Sequence, residues 1–107
     1  MRPKNQLILK WQVPGAADEL YDCITAAELA GVTTREFLKY CRFGLYQPLG
    51  DAERFGYCFD LEAIYLARQA EQARQQLQVN MRAAAVIVRL RQEVEELRQE
   101  LGFWRRY

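Results

Sequence analysis

The chain contains no histidine. That absence removes the commonest general base, the usual activator of a serine or cysteine nucleophile, and the commonest metal ligand. Long apolar runs are missing too. The basic start leads into Leu7-Ile8-Leu9, but Lys10 breaks the run, so neither a signal peptide nor a membrane anchor is expected. No stretch approaches the roughly 18 apolar residues that a spanning helix needs. Cysteine is sparse: Cys23, Cys41 and Cys58 form an odd, scattered set without CxxC spacing. Such a set argues against a disulfide framework and fits a reducing, cytoplasmic setting. No phosphate-binding glycine loop and no paired metal ligands occur. No catalytic residue, metal site or cofactor is therefore expected, and the chain reads as a non-enzymatic binding protein.

Charge of one sign is also lacking. Lys and Arg number 15 against 14 acidic residues, a net charge of +1. The isoelectric point of about 7.7 falls short of the value above about 9 that a nucleic-acid-binding domain usually shows.

What is present is one domain's worth of chain, 107 residues, half of them apolar. A chain this short buries only about two-thirds of the surface its unfolded form exposes, so dimerisation would help it. Gln6 to Val13 alternates as a strand and Pro14-Gly15 ends it, giving an N-terminal strand segment over residues 1–15. Thr25 and Glu28 have capping-box spacing before a short helix that ends at Gly31. Thr33 or Thr34 caps a second short helix, stopped at Gly44. Ala27, Leu29 and Ala30 on the first helix are expected to face Val32, Phe37, Leu38 and Cys41 across a three-residue turn, the spacing of a helix-turn-helix. Leu45-Tyr46 and Tyr57-Cys58-Phe59 flank a polar tip, Asp51 to Arg54, and read as a two-stranded wing.

Asp60 caps a third helix whose inner stripe is expected at Leu61, Ile64, Tyr65, Ala67 and Arg68, with Leu77 at its end. The head then spans 16–76. Asn80 caps a long helix over 80–101, with Gly102 as its stop. In it Ala83, Ile87, Leu90, Val94, Leu97 and Leu101 recur at spacings of four and three, the a/d seam of a coiled coil. Ile87, Leu90, Val94, Leu97 and Leu101 are the candidate homodimer interface. Upstream, Met81, Ala84, Ala85, Val86 and Val88 widen the apolar stripe, which predicts burial on two sides, against the head and against a partner. The overall expectation is a mainly α chain: a winged helix-turn-helix with a short N-terminal strand and a long C-terminal coiled-coil-type helix.

The second short helix is where a DNA reader places its base contacts. It carries Arg35, Lys39 and Arg42, and the wing adds Arg54. Against these four cations, the stretch from Pro14 to Asp60 holds eight acids: Asp18, Glu19, Asp22, Glu28, Glu36, Asp51, Glu53 and Asp60. Phosphate contacts draw much of their affinity from Lys and Arg, so DNA binding is disfavoured as the main task. An acid-rich surface suits a basic protein partner instead.

The order of these motifs resembles a known group. ITAAELAGVTTREFLKYCRFGLYQP followed by FGYCFDLEAIYLARQ is similar to the head of MerR-type regulators. Those heads tend to carry Arg-Tyr-Tyr in the second helix and Tyr-Arg-x-Tyr at the wing. Here the places hold Lys39-Tyr40-Cys41 and Tyr57-Cys58-Phe59, so the wing arginine that would touch phosphate is a cysteine. A closer resemblance is to the CbpM-like chaperone modulators, a shrunken MerR-like head with an extra N-terminal strand. It covers about Leu7 to Leu101 and is most specific from Leu77 to Leu101, where Leu-x-Val-Asn-x-x-Ala-Ala leads into an Ala/Val/Ile-rich turn and a Glu-Leu-rich heptad. The resemblance implies a bacterial protein that binds the J-domain of a DnaJ/CbpA-type co-chaperone and blocks its action with the Hsp70 chaperone DnaK. J-domains present a basic helix beside a His-Pro-Asp loop. Candidate contacts are Asp18, Glu19, Asp22 and Glu28 on the head, or Glu62 and Glu71 on the third helix. The alternative is a MerR-type DNA-binding transcriptional regulator using Arg35, Lys39, Arg42 and Arg54. A third option, a redox or catalytic thiol at Cys41 or Cys58, competes with the plainer reading of buried structural thiols.

Overall fold

The computed structural model describes residues 19–50 and 56–105. The strand expected over Gln6 to Val13, the tip Asp51 to Arg54 and the candidate contact Asp18 lie outside the described residues. The described chain is mainly helical. In order come β1 (Tyr21–Asp22), α1 (Cys23–Ala30), α2 (Thr34–Arg42), β2 (Cys58–Phe59), α3 (Leu61–Leu77) and α4 (Met81–Arg105).

Local chemistry sets most of the boundaries. Thr33 caps α2 through a reciprocal box: the Glu36 N–H donates to the Thr33 hydroxyl, and the Thr33 N–H donates to the Glu36 carboxylate, both at 3.0 Å. The Asp60 carboxylate accepts from the Ala63 N–H at 3.0 Å and starts α3, while the Asn80 side chain accepts from the Ala83 N–H at 2.8 Å and starts α4. Thr25 does not cap α1. The helix begins two residues earlier, and Asp22 is its cap, accepting from the Thr25 N–H at 2.8 Å. Asp22 is held in extended backbone by antiparallel pairing with Cys58, as Tyr21 is with Phe59, and a residue already extended one step before a helix is ready to cap it. Gly31 ends α1 at φ +80°, where its N–H and that of Val32 turn back onto the last carbonyls.

The segment between α2 and β2 differs from the expected hairpin. Leu45 and Tyr46 are buried core residues, not strand. The bridge to Cys58 comes from Leu49, with reciprocal backbone hydrogen bonds of 2.7 and 2.9 Å. Phe37, Tyr46 and Phe59 form the centre beneath it. Phe59 meets Phe37 edge-on at 4.8 Å between centroids, and Tyr46 lies 4.9 Å from Phe37, within the usual range of ring contacts. The buried Tyr46 hydroxyl donates to the Phe37 carbonyl at 2.7 Å, tying the connection to α2.

α3 is packed on by both α1 and α4, and its buried face is Ala63, Ile64, Leu66, Ala67, Ala70 and Ala73. The stripe expected at Leu61, Tyr65 and Arg68 faces outward instead; Tyr65 is 54% exposed and Leu77 50%. On α1 the same substitution of small for large occurs: Ala26 is buried and Leu29 is exposed. Alanine permits close helix approach, and its pattern on a helix is ambiguous because it is equally common on exposed faces. The carbonyl of Leu29 accepts from the outward Arg68 guanidinium, so that side chain ties α3 to the end of α1.

α4 spans 25 residues, about 37 Å at the α-helical rise. Gly102 does not stop it. Its φ is not positive, and an interior glycine costs only about 1 kcal/mol relative to alanine. The end of α2 docks on the first half of α4: the Arg82 guanidinium stacks over the Phe43 ring at 4.9 Å. Arg89 lies so close to Gly44, itself at φ +86°, that a Cβ there would meet the guanidinium at 3.3 Å.

Gln78 ends α3 in the left-handed region at φ 55°, the only such non-glycine among the described residues. Gln78→Gly should raise stability by about 1 kcal/mol, the cost of that conformation for a residue with a Cβ. A higher urea midpoint with an unchanged slope is the expected result.

Candidate docking surfaces

α4 carries two apolar stripes on opposite faces. Ala84, Ala85 and Val88 are buried, with Met81 packed beside them. About half a turn round the helix lie Val86, Leu90, Val94, Leu97 and Leu101, all exposed, with Ile87 half-buried. Leu90 is 54% exposed and Leu97 63%. The seam expected from the heptad spacing is thus one continuous surface feature. Of its two predicted burials, the one against the head is present, and in the single chain the other face is open. Ile87, Leu90, Arg91, Val94, Glu95 and Arg98 line a shallow groove along it.

The acidic candidates are not gathered into one site. Glu19 is exposed and accepts from the Tyr21 hydroxyl at 3.0 Å. Asp22 is occupied as the cap of α1. Glu28 is exposed on the outer side of α1. Glu62, exposed in the first turn of α3, lines a cleft with Leu45, Leu66, Arg89, Gln92, Glu93 and Glu96. Three carboxylates and one guanidinium thus line the same cleft. Glu93 and Glu96, spaced to share a face of α4, were readable as a pair. Their meeting with Glu62 depends on α3 and α4 packing antiparallel, which no local pattern encodes.

The cations of α2 form a row. Arg35, Lys39 and Arg42 are all exposed, at spacings that place them on one side of the helix. Glu36 sits among them in sequence but is turned to Thr33 and to Arg74, at 3.4 Å. Arg54 lies outside the described residues. Among the described residues no cluster of three or more Cys, Asp or Glu is arranged to hold a metal ion, and no helix is long and apolar enough to cross a membrane.

The three thiols are unactivated. Burial raises the Cys41 pKa and the adjacent Arg42 only partly offsets it. Burial and then the Asp22 charge raise Cys58, and the same two causes raise Cys23. A reactive cysteine needs the opposite shift. No family and no curated protein with which the sequence was compared matches this chain.

Glu71 is half-buried and held by neighbours within the chain. Its carboxylate accepts from the Tyr40 hydroxyl at 3.1 Å, from Gln75 at 3.1 Å and from both Arg74 donors, the Nε at 3.2 Å. Burial alone would raise its pKa; the hydrogen bonds from Arg74 and Tyr40 and the guanidinium charge outweigh it and hold the carboxyl below its ordinary value. Burial, then the Glu71 charge, pushes the Tyr40 hydroxyl far up. A carboxyl with a depressed folded pKa stabilises the fold above its unfolded pKa and loses that contribution as pH falls through the folded one. Glu71→Gln should therefore cost about 1–3 kcal/mol at neutral pH. The difference from wild type should be constant above about pH 5 and shrink toward more acid solution, as followed by urea unfolding at several pH values.

Proposed function

We propose that the chain is a non-enzymatic chaperone modulator of the CbpM-like kind, a cytoplasmic homodimer that binds the J-domain of a DnaJ/CbpA-type co-chaperone and keeps it from DnaK. In this reading α1, α2 and the loop closed by the Leu49–Cys58 bridge are a MerR-like winged helix-turn-helix reused to hold a protein. The exposed stripe of α4 from Ile87 to Leu101 is the coiled-coil seam of the dimer. The observation that carries the reading is the cleft that Glu62, Glu93 and Glu96 line together with a single arginine, Arg89. A cluster of negative charge beside a head with few cations complements the basic helix of a J-domain and would steer its approach. Cys58 stands where a DNA-binding wing would carry arginine, which weakens the nucleic-acid reading.

The MerR-type regulator remains the second reading, favoured by one observation: Arg35, Lys39 and Arg42 are exposed together while Glu36 is drawn away from them. Such a row is the kind of surface a major-groove helix presents.

Titration calorimetry separates the two. A cognate J-domain should bind wild type, more weakly as salt rises, and Glu62→Lys with Glu96→Lys should weaken binding about tenfold or more. No heat at low salt ends the chaperone reading. Gel shifts with DNA flanking the chain's own gene should show no complex; a shift that Arg35→Glu with Lys39→Glu abolishes would establish the regulator instead.

A further inference from the structure

We infer that Leu61 and Tyr65, exposed at the start of α3, are the apolar anchor of the docking surface: the carboxylate-lined cleft steers a basic amphipathic helix of the partner into place, and these two side chains hold it there. The inference rests on the partner reading proposed above and deepens it, separating the residues that set the rate of arrival from those that set the rate of departure.

Leu61 is 51% exposed and Tyr65 54%. They stand four places apart, on one face of the helix. The rest of the outward arc of α3 is polar, with Arg68, Gln72, Gln75 and Gln76, until Leu77 at its end. Apart from that last residue, the exposed apolar surface of α3 is concentrated in about its first turn and a half. Glu62 adjoins it. It follows Leu61 directly and precedes Tyr65 by three places, so it stands on the helix surface between the apolar pair and the cleft that it lines with Leu66, Arg89, Glu93 and Glu96. Arg68, one turn past Tyr65, bounds the other end, where the Leu29 carbonyl accepts from its guanidinium. A partner that brings cations is therefore drawn toward Glu62 and the cleft and turned away from Arg68. A ligand of charge alone would gain nothing from Leu61 and Tyr65, and a wholly apolar one nothing from the carboxylates. A helix with one basic and one apolar face uses both. Tyrosine suits the anchor role, since its ring offers apolar area while its hydroxyl can stay in water, and it is enriched among the residues that carry binding energy. The fold has no need of either side chain: neither is among the core residues or the half-buried side chains packed on them.

Surface plasmon resonance of the full chain over an immobilised cognate J-domain, at low and at high salt, tests this. Tyr65→Ala should speed dissociation about tenfold or more and Leu61→Ala about three- to tenfold, with association rates within about twofold of wild type. Tyr65→Phe keeps the ring and should dissociate within about threefold of wild type. Glu62→Gln should instead slow association at low salt, an effect that added salt removes. Helicity and the urea midpoint of Tyr65→Ala should match wild type, because the position is exposed. Wild-type binding with unchanged dissociation in both alanine variants overturns the anchor and leaves the partner reading standing. Alanine variants that change the sedimentation of the free chain assign the pair to a contact between copies, which also overturns it. A J-domain that does not bind the wild-type chain overturns both.

Discussion

Close approach of helices through alanine is the constraint on which the rest of this structure depends. α3 is gripped from two sides, and most of the side chains that permit it are Ala63, Ala67, Ala70 and Ala73, met by Ala26, Ala27 and Ala30 on α1 and by Ala84 and Ala85 on α4. Small side chains leave little room to rearrange, since interiors are packed as densely as organic crystals. The larger apolar groups are displaced to two places. Phe37, Tyr46 and Phe59 fill the gap beneath the β2 bridge, and Leu90, Val94, Leu97 and Leu101 are left outside. A helix with its alanines inward and its leucines outward has its strongest hydrophobic surface still available for a partner.

The polar part of the core follows from the same geometry. Tyr40 is fully buried and brings its hydroxyl to Glu71, which Arg74 and Gln75 hold in turn. Arg74 reaches on to Glu36, whose other oxygen closes the cap of α2. One chain of charge-assisted hydrogen bonds thus links the start of α2 to the last turns of α3. No buried side-chain nitrogen or oxygen among the described residues lacks a partner, which is what a low-dielectric interior demands.

The features legible in the sequence were those with a local cause. Thr33, Asp60 and Asn80 cap where their side chains and spacing indicate, and the seam on α4 follows its heptad. What was not legible depends on distant contact. Asp22 rather than Thr25 caps α1 because β2 holds it extended, and a two-residue strand has no periodicity to detect. The inner face of α3 was misplaced because Tyr65 and Leu61 look more like core than alanine does. Gly102 reads as a stop, yet the helical bonds around it suffice to carry the helix onward. Of the six acidic candidates, Asp22 caps α1 and Glu71 is held by Tyr40 as well as by Arg74 and Gln75 of its own helix; the cap position and the Tyr40 contact are set by other elements and leave no mark in the local pattern. Glu62 was singled out without its neighbours, since Glu93 and Glu96 reach it only across a helix pair.

The missing histidine and the raised thiol pKa values have a joint consequence for how this molecule meets its surroundings. Histidine, the side chain whose ordinary pKa lies in the physiological range, is absent, and burial moves the three thiols away from that range. Ionic strength is then a stronger lever on the contacts of its charged faces than the protonation of an imidazole, which it does not possess.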